Sequence, residues 1–455
     1  MLTSPSLLAI HDQRQALYSQ TLERCVSYFF PDCKLEHSGT SDESQPELRI
    51  QAQRDGSLDL SWFDNLYRLH HEQRAFRQEE LRLLSAIGTV LSARYRVLFQ
   101  PNSGAAGMSL FRGLLEDSIV SAYLNPVPFE HVPNSEDFHD PFGDAIETLR
   151  ISSLSTYESR RISTGVLLHA ACDASAGCVV PERPSQAQRF NTNLTAIKSF
   201  SRLSNGMDTL ALVDAEGFLV DLIDVREWSR KYADLILPAP SPDVFEPHAR
   251  ATTVSGHICL VLTPNGEIKV FSRGTQAFSF INGTWRLSET EERYHIWRTA
   301  IGDPALAERI FHTALNLAEI RRGALFVVLN GSDMGDAIVM PADRLSWSNP
   351  SPSTGQLNKD QLNYLLRGRH LLELPPALLQ TLASLDGAIV LNRDSELIAY
   401  GSILRHSIES FSPAVRVEGG RTTAAVSASL HGDVLKVSED GLISYFRDGR
   451  QVWEL

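Results

Sequence analysis

Apolar residues fall at three- and four-residue steps through 72–96, where Phe76, Leu83, Leu84, Ile87, Val90, Leu91 and Tyr95 mark one buried helix face. On that pattern residues 1–123 read as a mainly helical N-terminal region. From 150 to about 235 the texture changes to strands and short helices. GVLLHAAC (165–172) is β-like, and TLALVDAEGFLVDLIDV (209–225) reads as a hairpin turning at Ala215-Glu216-Gly217. RFNTNLTAIKSFSRLSNG (189–206) predicts a helix that ends at Gly206. Two further hairpins are expected, one in 257–274 turning at Asn265-Gly266 and one in 277–287 turning at Asn282-Gly283.

Two stretches break these patterns. LNPVPFEHVPNSEDFHDPFGDA (124–145) is rich in turn formers and reads as a loop or boundary, and LILPAPSPDVFEP (235–247) reads as a linker. At Asp303-Pro304 an N-cap acid and a proline at the first helical position open a helix. Leu306, Ile310, Phe311, Ala314, Leu317 and Ile320 lie along one face of it, and it runs into the apolar strand GALFVVL (323–329). A chain of 455 residues exceeds one ordinary core. The expected organisation is a helical region over 1–123, a mixed α/β regulatory region over 150–300 and a third domain over 301–455. The expected fold class is α/β (mixed α+β), with a central mixed sheet flanked by helices in the last domain.

Composition narrows the function. With 43% hydrophobic and 21% charged residues the chain reads as globular, and no apolar run reaches the ~20 residues a membrane-spanning helix needs. The first residues lack the basic and apolar segments of a secretory leader, so a cytoplasmic location is expected. Cys25, Cys33, Cys172, Cys178 and Cys259 have no paired spacing and read as reduced packing residues. Net charge is −13, and over 321–455 the 13 basic and 15 acidic residues nearly cancel, so the acidic excess lies in the first 320 residues. A broad nucleic-acid surface is not expected on such a chain. A small polyanion needs only a few backbone amides and one or two arginines.

The last third offers such a place. Asp386-Gly387-Ala388 opens a strand, Gly419-Gly420-Arg421 precedes a helical stretch, and VSEDGLIS (437–444) forms a turn between strands. Asp386 can hold a divalent cation or orient a hydroxyl. Gly419 and Gly420 leave backbone amides free to approach phosphate, and Arg421 presents a planar fork to its oxygens. Taken singly, each feature is ordinary: an Asp-Gly turn, a core leucine at 404, a Ser-Glu-Asp-Gly hairpin. In the first half the candidates are His169, His248, His257 and the Arg189/Lys198/Arg202 set. Histidines on separate segments are more often surface or satisfied core residues than ligands.

Order and spacing together resemble the diadenylate cyclase domain, which condenses two ATP into cyclic di-AMP. The resemblance covers about the last 135 residues, through RRGALFVVL (321–329), DGAIVLNRDSELIAYGSIL (386–404), GGRTTAAVSAS (419–429) and VSEDGLIS. It implies catalytic roles for Asp386 and Arg421. It implies nucleotide binding by Gly387, Ala388, Leu404, Gly419, Gly420, Thr422, Thr423 and Glu439, and Mg2+ or Mn2+ at Asp386 and Glu439. It further implies ATP or a related nucleotide as partner and self-association into a dimer or higher even oligomer, with residues 1–300 as a sensor. One part departs. Where the family has Arg-His-Arg this chain has Arg421-Thr422-Thr423. Two cationic or protonatable groups become hydroxyls, at a loss of roughly 2–4 kcal/mol each in transition-state stabilisation. Arg405, His406 or Arg416 could compensate from the neighbouring loop. A cyclase is the leading expectation; a degenerate nucleotide-binding sensor or assembly protein that keeps the fold is the alternative.

Overall fold

The structure, a computed structural model, describes residues 5–40, 45–71, 74–99, 110–130, 138–169, 182–197, 199–254, 256–331, 334–345, 363–405 and 419–455. The chain divides into two compact units. One comprises 1–228, 254–273 and 278–287; the other comprises 229–253, 274–277 and 288–455.

The first unit corrects the expectation of a mainly helical start. Between the helices Pro5–Phe29 and Gln78–Phe99 lie four strands, Cys33–Thr40, Arg49–Ala52, Leu58–Trp62 and Asn65–His71, paired antiparallel. Leu58, Leu60 and Trp62 are buried while Asp59 and Ser61 are not. That period of two runs over only five residues, too short to compete with the long helical repeat beside it. The helix itself buries Leu83, Leu84, Ile87, Val90, Leu91 and Tyr95 as expected, and Phe76 precedes it.

The hairpins of the seven-stranded sheet follow the sequence closely. Strands Thr209–Val213 and Leu219–Asp224 pair antiparallel, with the Asp214 carboxylate accepting from the amides of Glu216 and Phe218 in the turn. Ile258–Leu262 pairs with Ile268–Ser272, and Phe278–Ile281 pairs with Thr284–Leu287 across Asn282 and Gly283, both at positive φ. The helix expected over 189–206 is instead a 3-10 turn, Thr192–Ala196, and a short helix, Phe200–Leu203. Asn191 and Thr195 turn their side chains onto local backbone and compete with a continuous helix. The stretch read as loop from 124 holds the helix Val127–Glu130 and the start of the helix Pro141–Ser153.

The second unit is built on a six-stranded mixed sheet. The elements that carry the sheet and the site are α1 (Pro304–Glu319), β1 (Ala324–Leu329), α2 (Pro376–Ala383), β2 (Ala388–Asn392), β3 (Leu397–Ser402), α3 (Gly420–Ala428), β4 (Gly432–Val437), β5 (Ile443–Arg447) and β6 (Arg450–Glu454). Strand order is β3-β2-β1-β4-β5-β6; β1 and β2 are parallel and the other pairs antiparallel. Asp303 caps α1 by accepting from the amides of Ala305 and Leu306. Alternation along β1 divides two apolar layers. Phe326 and Val328 pack with Leu306, Ile310, Phe311 and Ala314 of α1, whereas Leu325, Val327 and Leu329 pack with Ala425, Val426 and Ala428 of α3. This three-layer arrangement brings the start of α3 to the sheet edge where the chain enters β1 and leaves β4.

Candidate functional site

Gly387 sets the path into β2. Its φ is +105°, and a β-carbon there would lie 2.6 Å from the Gly401 carbonyl carbon and 2.7 Å from the Ser402 nitrogen. No other residue fits that bend without strain. The bend leaves the Asp386 side chain 90% exposed while Ala388 is buried in the layer beneath α3. Gly419, at φ +94°, caps α3, and a β-carbon on Gly419 or Gly420 would meet nothing within 4 Å among the described residues.

Arg421 gathers the cluster. Its Nη1 donates to Glu439 Oε1 at 2.7 Å, and its Nη2 lies 4.0 Å from Asp386 Oδ1. Glu439 stands in the turn between β4 and β5, so three separate segments meet at one guanidinium. The guanidinium also lies over Gly323, where a β-carbon would come within 2.7 Å of Arg421 Cζ. Arg421 is 35% exposed and Glu439 71%, so the ion pair is a solvated one worth about 0–1 kcal/mol. A guanidinium held that weakly can exchange a carboxylate for a phosphate at little cost.

The two threonines differ. Thr423 Oγ1 donates back to the Gly419 carbonyl at 3.1 Å, turned into its own helix. Thr422 Oγ1 accepts from Lys436 Nζ at 3.1 Å. Lys436 rises from β4 on the α3 side, within 5.7 Å of the Phe446 ring centre, and is half-buried. Burial holds its ammonium below the ordinary lysine range, with Glu454 and Asp440 partly opposing.

Leu404 is buried in the apolar layer with Val390, Ala399 and Ala425. Arg405 directs its Nε to Met340 Sδ at 2.8 Å. His406, Arg416 and Lys198 lie outside the described residues, as do Cys172 and Cys178. Among the described residues no group of three or more His, Cys, Asp or Glu is placed to hold a metal. Asp386 and Glu439 supply two exposed carboxylates, a set that suits Mg2+ or Mn2+ only with substrate phosphates completing the shell.

In the first unit the structure brings His169 and His257 together, both buried, with ring centres 4.3 Å apart. His248 belongs to the second unit and is buried there. Arg202 pairs with Glu158 at 2.6 Å, while Arg189 donates to His139 at the rim of a cavity of about 690 Å³. Among the described residues no helix is long and apolar enough to cross a membrane.

Sequence reasoning missed Gly323 and Lys436. The signal for the second was present: one basic residue inside the apolar strand DVLKV. Gly323 was read only as part of the RRGALFVVL segment, with no role of its own.

No family model matches the chain, and no curated protein does. Among solved structures, a hypothetical membrane spanning protein from Bacillus cereus is similar over 35% of this chain and 69% of its own, at 19% identity and TM-score 0.26. DacA from Staphylococcus aureus, a double cysteine mutant, is similar over 36% of this chain and 87% of its own, at 24% identity and TM-score 0.20. Likenesses of that extent carry no weight for function.

Proposed function

We propose that residues 301–455 form a nucleotide-binding domain of the diadenylate cyclase type, which binds ATP and joins two ATP into cyclic di-AMP. The observation that carries this reading is the meeting of Asp386, Arg421 and Glu439 at one surface point, 4.0 Å and 2.7 Å apart across Arg421. Joining two ATP requires the 3′-hydroxyl of each to attack the α-phosphorus of the other, so that two P–O bonds form, the two α–β phosphoanhydride bonds break and two pyrophosphates leave. Positioning and neutralisation of phosphate charge are the main demands on the protein. Arg421 would release Glu439 and take phosphate oxygens, while the backbone amides at Gly419 and Gly420, without side chains, would accommodate the tail. Asp386 and Glu439 would hold Mg2+ or Mn2+, which supplies further charge neutralisation on the phosphates. Asp386 would also orient the attacking hydroxyl. Each domain presents one nucleotide, so the reaction requires two copies face to face, in a dimer or higher even oligomer. Residues 1–300 would then serve regulation, in the cytoplasm.

A second reading is favoured by Thr423, whose hydroxyl is turned onto the Gly419 carbonyl. On that reading the domain binds a nucleotide as a sensor, or only mediates assembly, without turnover. Incubating the full chain with ATP and Mn2+ or Mg2+ and assaying cyclic di-AMP, with Asp386→Ala as control, separates them. Product lost in the variant supports the cyclase. Saturable ATP binding without product at any protein concentration supports the sensor, and no binding at all rejects both the cyclase and the sensor and leaves assembly alone.

A further inference from the structure

We infer that Lys436 is the second phosphate-binding cation of this site, replacing charge that the Arg421-Thr422-Thr423 segment lacks, so that the site selects ligands by the length of a polyphosphate tail. The inference rests on the nucleotide reading above and deepens it. Strand β4 reads Gly-Asp-Val-Leu-Lys-Val, and its alternation sends Val434 into the layer under α3 and Leu435 and Val437 into the layer under α1. Position 436 therefore emerges beneath α3, where an apolar side chain would continue the pattern. A lysine stands there instead. Its neighbours across the sheet are Leu325 of β1 and Ser444 of β5; next in that row Glu454 of β6 accepts from Ser444 Oγ at 3.1 Å, and Glu454 and Asp440 only partly offset the effect of burial on the ammonium.

The ammonium is held by a hydroxyl and an aromatic face. Nζ donates to Thr422 Oγ1 at 3.1 Å and lies 5.7 Å from the Phe446 ring centre, and no carboxylate lies within 4.0 Å of it among the described residues. A lysine so placed keeps donors in hand for an anion. Thr422 is adjacent to Arg421, so two cations flank the first turn of α3, one reaching it from the sheet and the other lying over Gly323. Thr422 thereby acts as a positioning residue for a charge that comes from a different strand. A monophosphate can be met by one of these cations; a di- or triphosphate is long enough to engage both. Selectivity by tail length follows.

The test is calorimetric titration of the full chain with adenosine, AMP, ADP and ATP, comparing wild type with Lys436→Met and Lys436→Arg. Wild type should bind with affinity that rises with each phosphate. Lys436→Met should weaken ATP by about 10- to 100-fold while changing AMP by less than about 3-fold, and Lys436→Arg should restore most of the loss. A thermal melt of each variant confirms that the fold is kept. ATP binding equal in wild type and Lys436→Met overturns the inference and leaves the nucleotide reading standing. Loss of adenosine and ATP binding in equal measure assigns Lys436 a structural role and also overturns it. Wild type that binds none of the four removes both readings together.

Discussion

The guanidinium of Arg421 occupies the space that a β-carbon on Gly323 would fill. These residues belong to different layers, one at the mouth of a buried strand and the other in the first turn of α3. Gly323→Ala keeps an ordinary backbone conformation, so its methyl group acts by pushing the arginine aside. The pair is a solvated one, and displacement removes only about 0–1 kcal/mol of stability. The expected result is a melting temperature within a few degrees of wild type and ATP affinity reduced about 10-fold. Unchanged affinity would mean that the present position of Arg421 does not matter for the ligand.

Gly387 gives the opposite signature. At φ +105°, with the Gly401 and Ser402 backbones in the way of a β-carbon, Gly387→Ala requires the β2–β3 edge to move. A loss of roughly 1–3 kcal/mol in stability is expected, together with loss of ligand binding because Asp386 is carried on the same bend. Urea denaturation of the variant checks the first part. A midpoint equal to wild type would show that the bend relaxes without strain.

How much of this was legible from the residues depends on range. Local signals carried: Asp303-Pro304 opens α1, Asn282-Gly283 turns a hairpin, and the alternation of β1 is plain in the sequence. The grouping of Asp386, Arg421 and Glu439 at one site was implied only by the family resemblance. Three things were hidden. Cys33–Thr40 and Arg49–Ala52 bury no residue, so the period of two is faint in the first two strands beside the helix that follows. Lys436 looks like an interruption of a strand until Thr422 is seen above it. Asp433 is one acid among several in the sequence, and only the sheet shows it to be 1% exposed.

Asp433 is the polar anchor of the second unit. It accepts from Tyr445 Oη at 2.6 Å and pairs with Arg393 Nη2 at 2.6 Å. Arg393 in turn donates to the carbonyls of Ala300 and Ile301 and to Asn330. Asp433 is buried but Arg393 is 32% exposed and keeps its three other acceptors, so removing the carboxylate costs about 1–3 kcal/mol, the loss of the charged hydrogen bonds to Arg393 and Tyr445. Asp433→Ala should lower the urea midpoint accordingly, followed by tryptophan fluorescence. Asp433→Asn should recover part of the loss, since its amide oxygen still accepts. Equal damage from both variants would point to charge alone.

The acid side of the stability profile is set in part by Asp140, which caps the helix Pro141–Ser153. Its Oδ1 accepts from the Gly143 amide at 3.0 Å and from Ser121 Oγ at 2.6 Å. Burial nevertheless pushes its carboxyl up from 3.8 to about 6; the Ser121 and Gly143 hydrogen bonds oppose the rise, and the nearby Asp144 adds to it. A pKa raised in the folded state means that the folded chain holds its proton more tightly than the unfolded chain. The stability this contributes is complete below about pH 4 and is lost as pH rises through about 6. Asparagine at an N-cap accepts the same backbone hydrogen bond without ionising. Melting temperatures of wild type and Asp140→Asn, measured every half unit from pH 4 to 7, should therefore diverge as pH rises, with the variant gaining relative to wild type. A difference that stays constant over the window would remove Asp140 as the titrating group, and one that narrows would reverse the sign of its contribution.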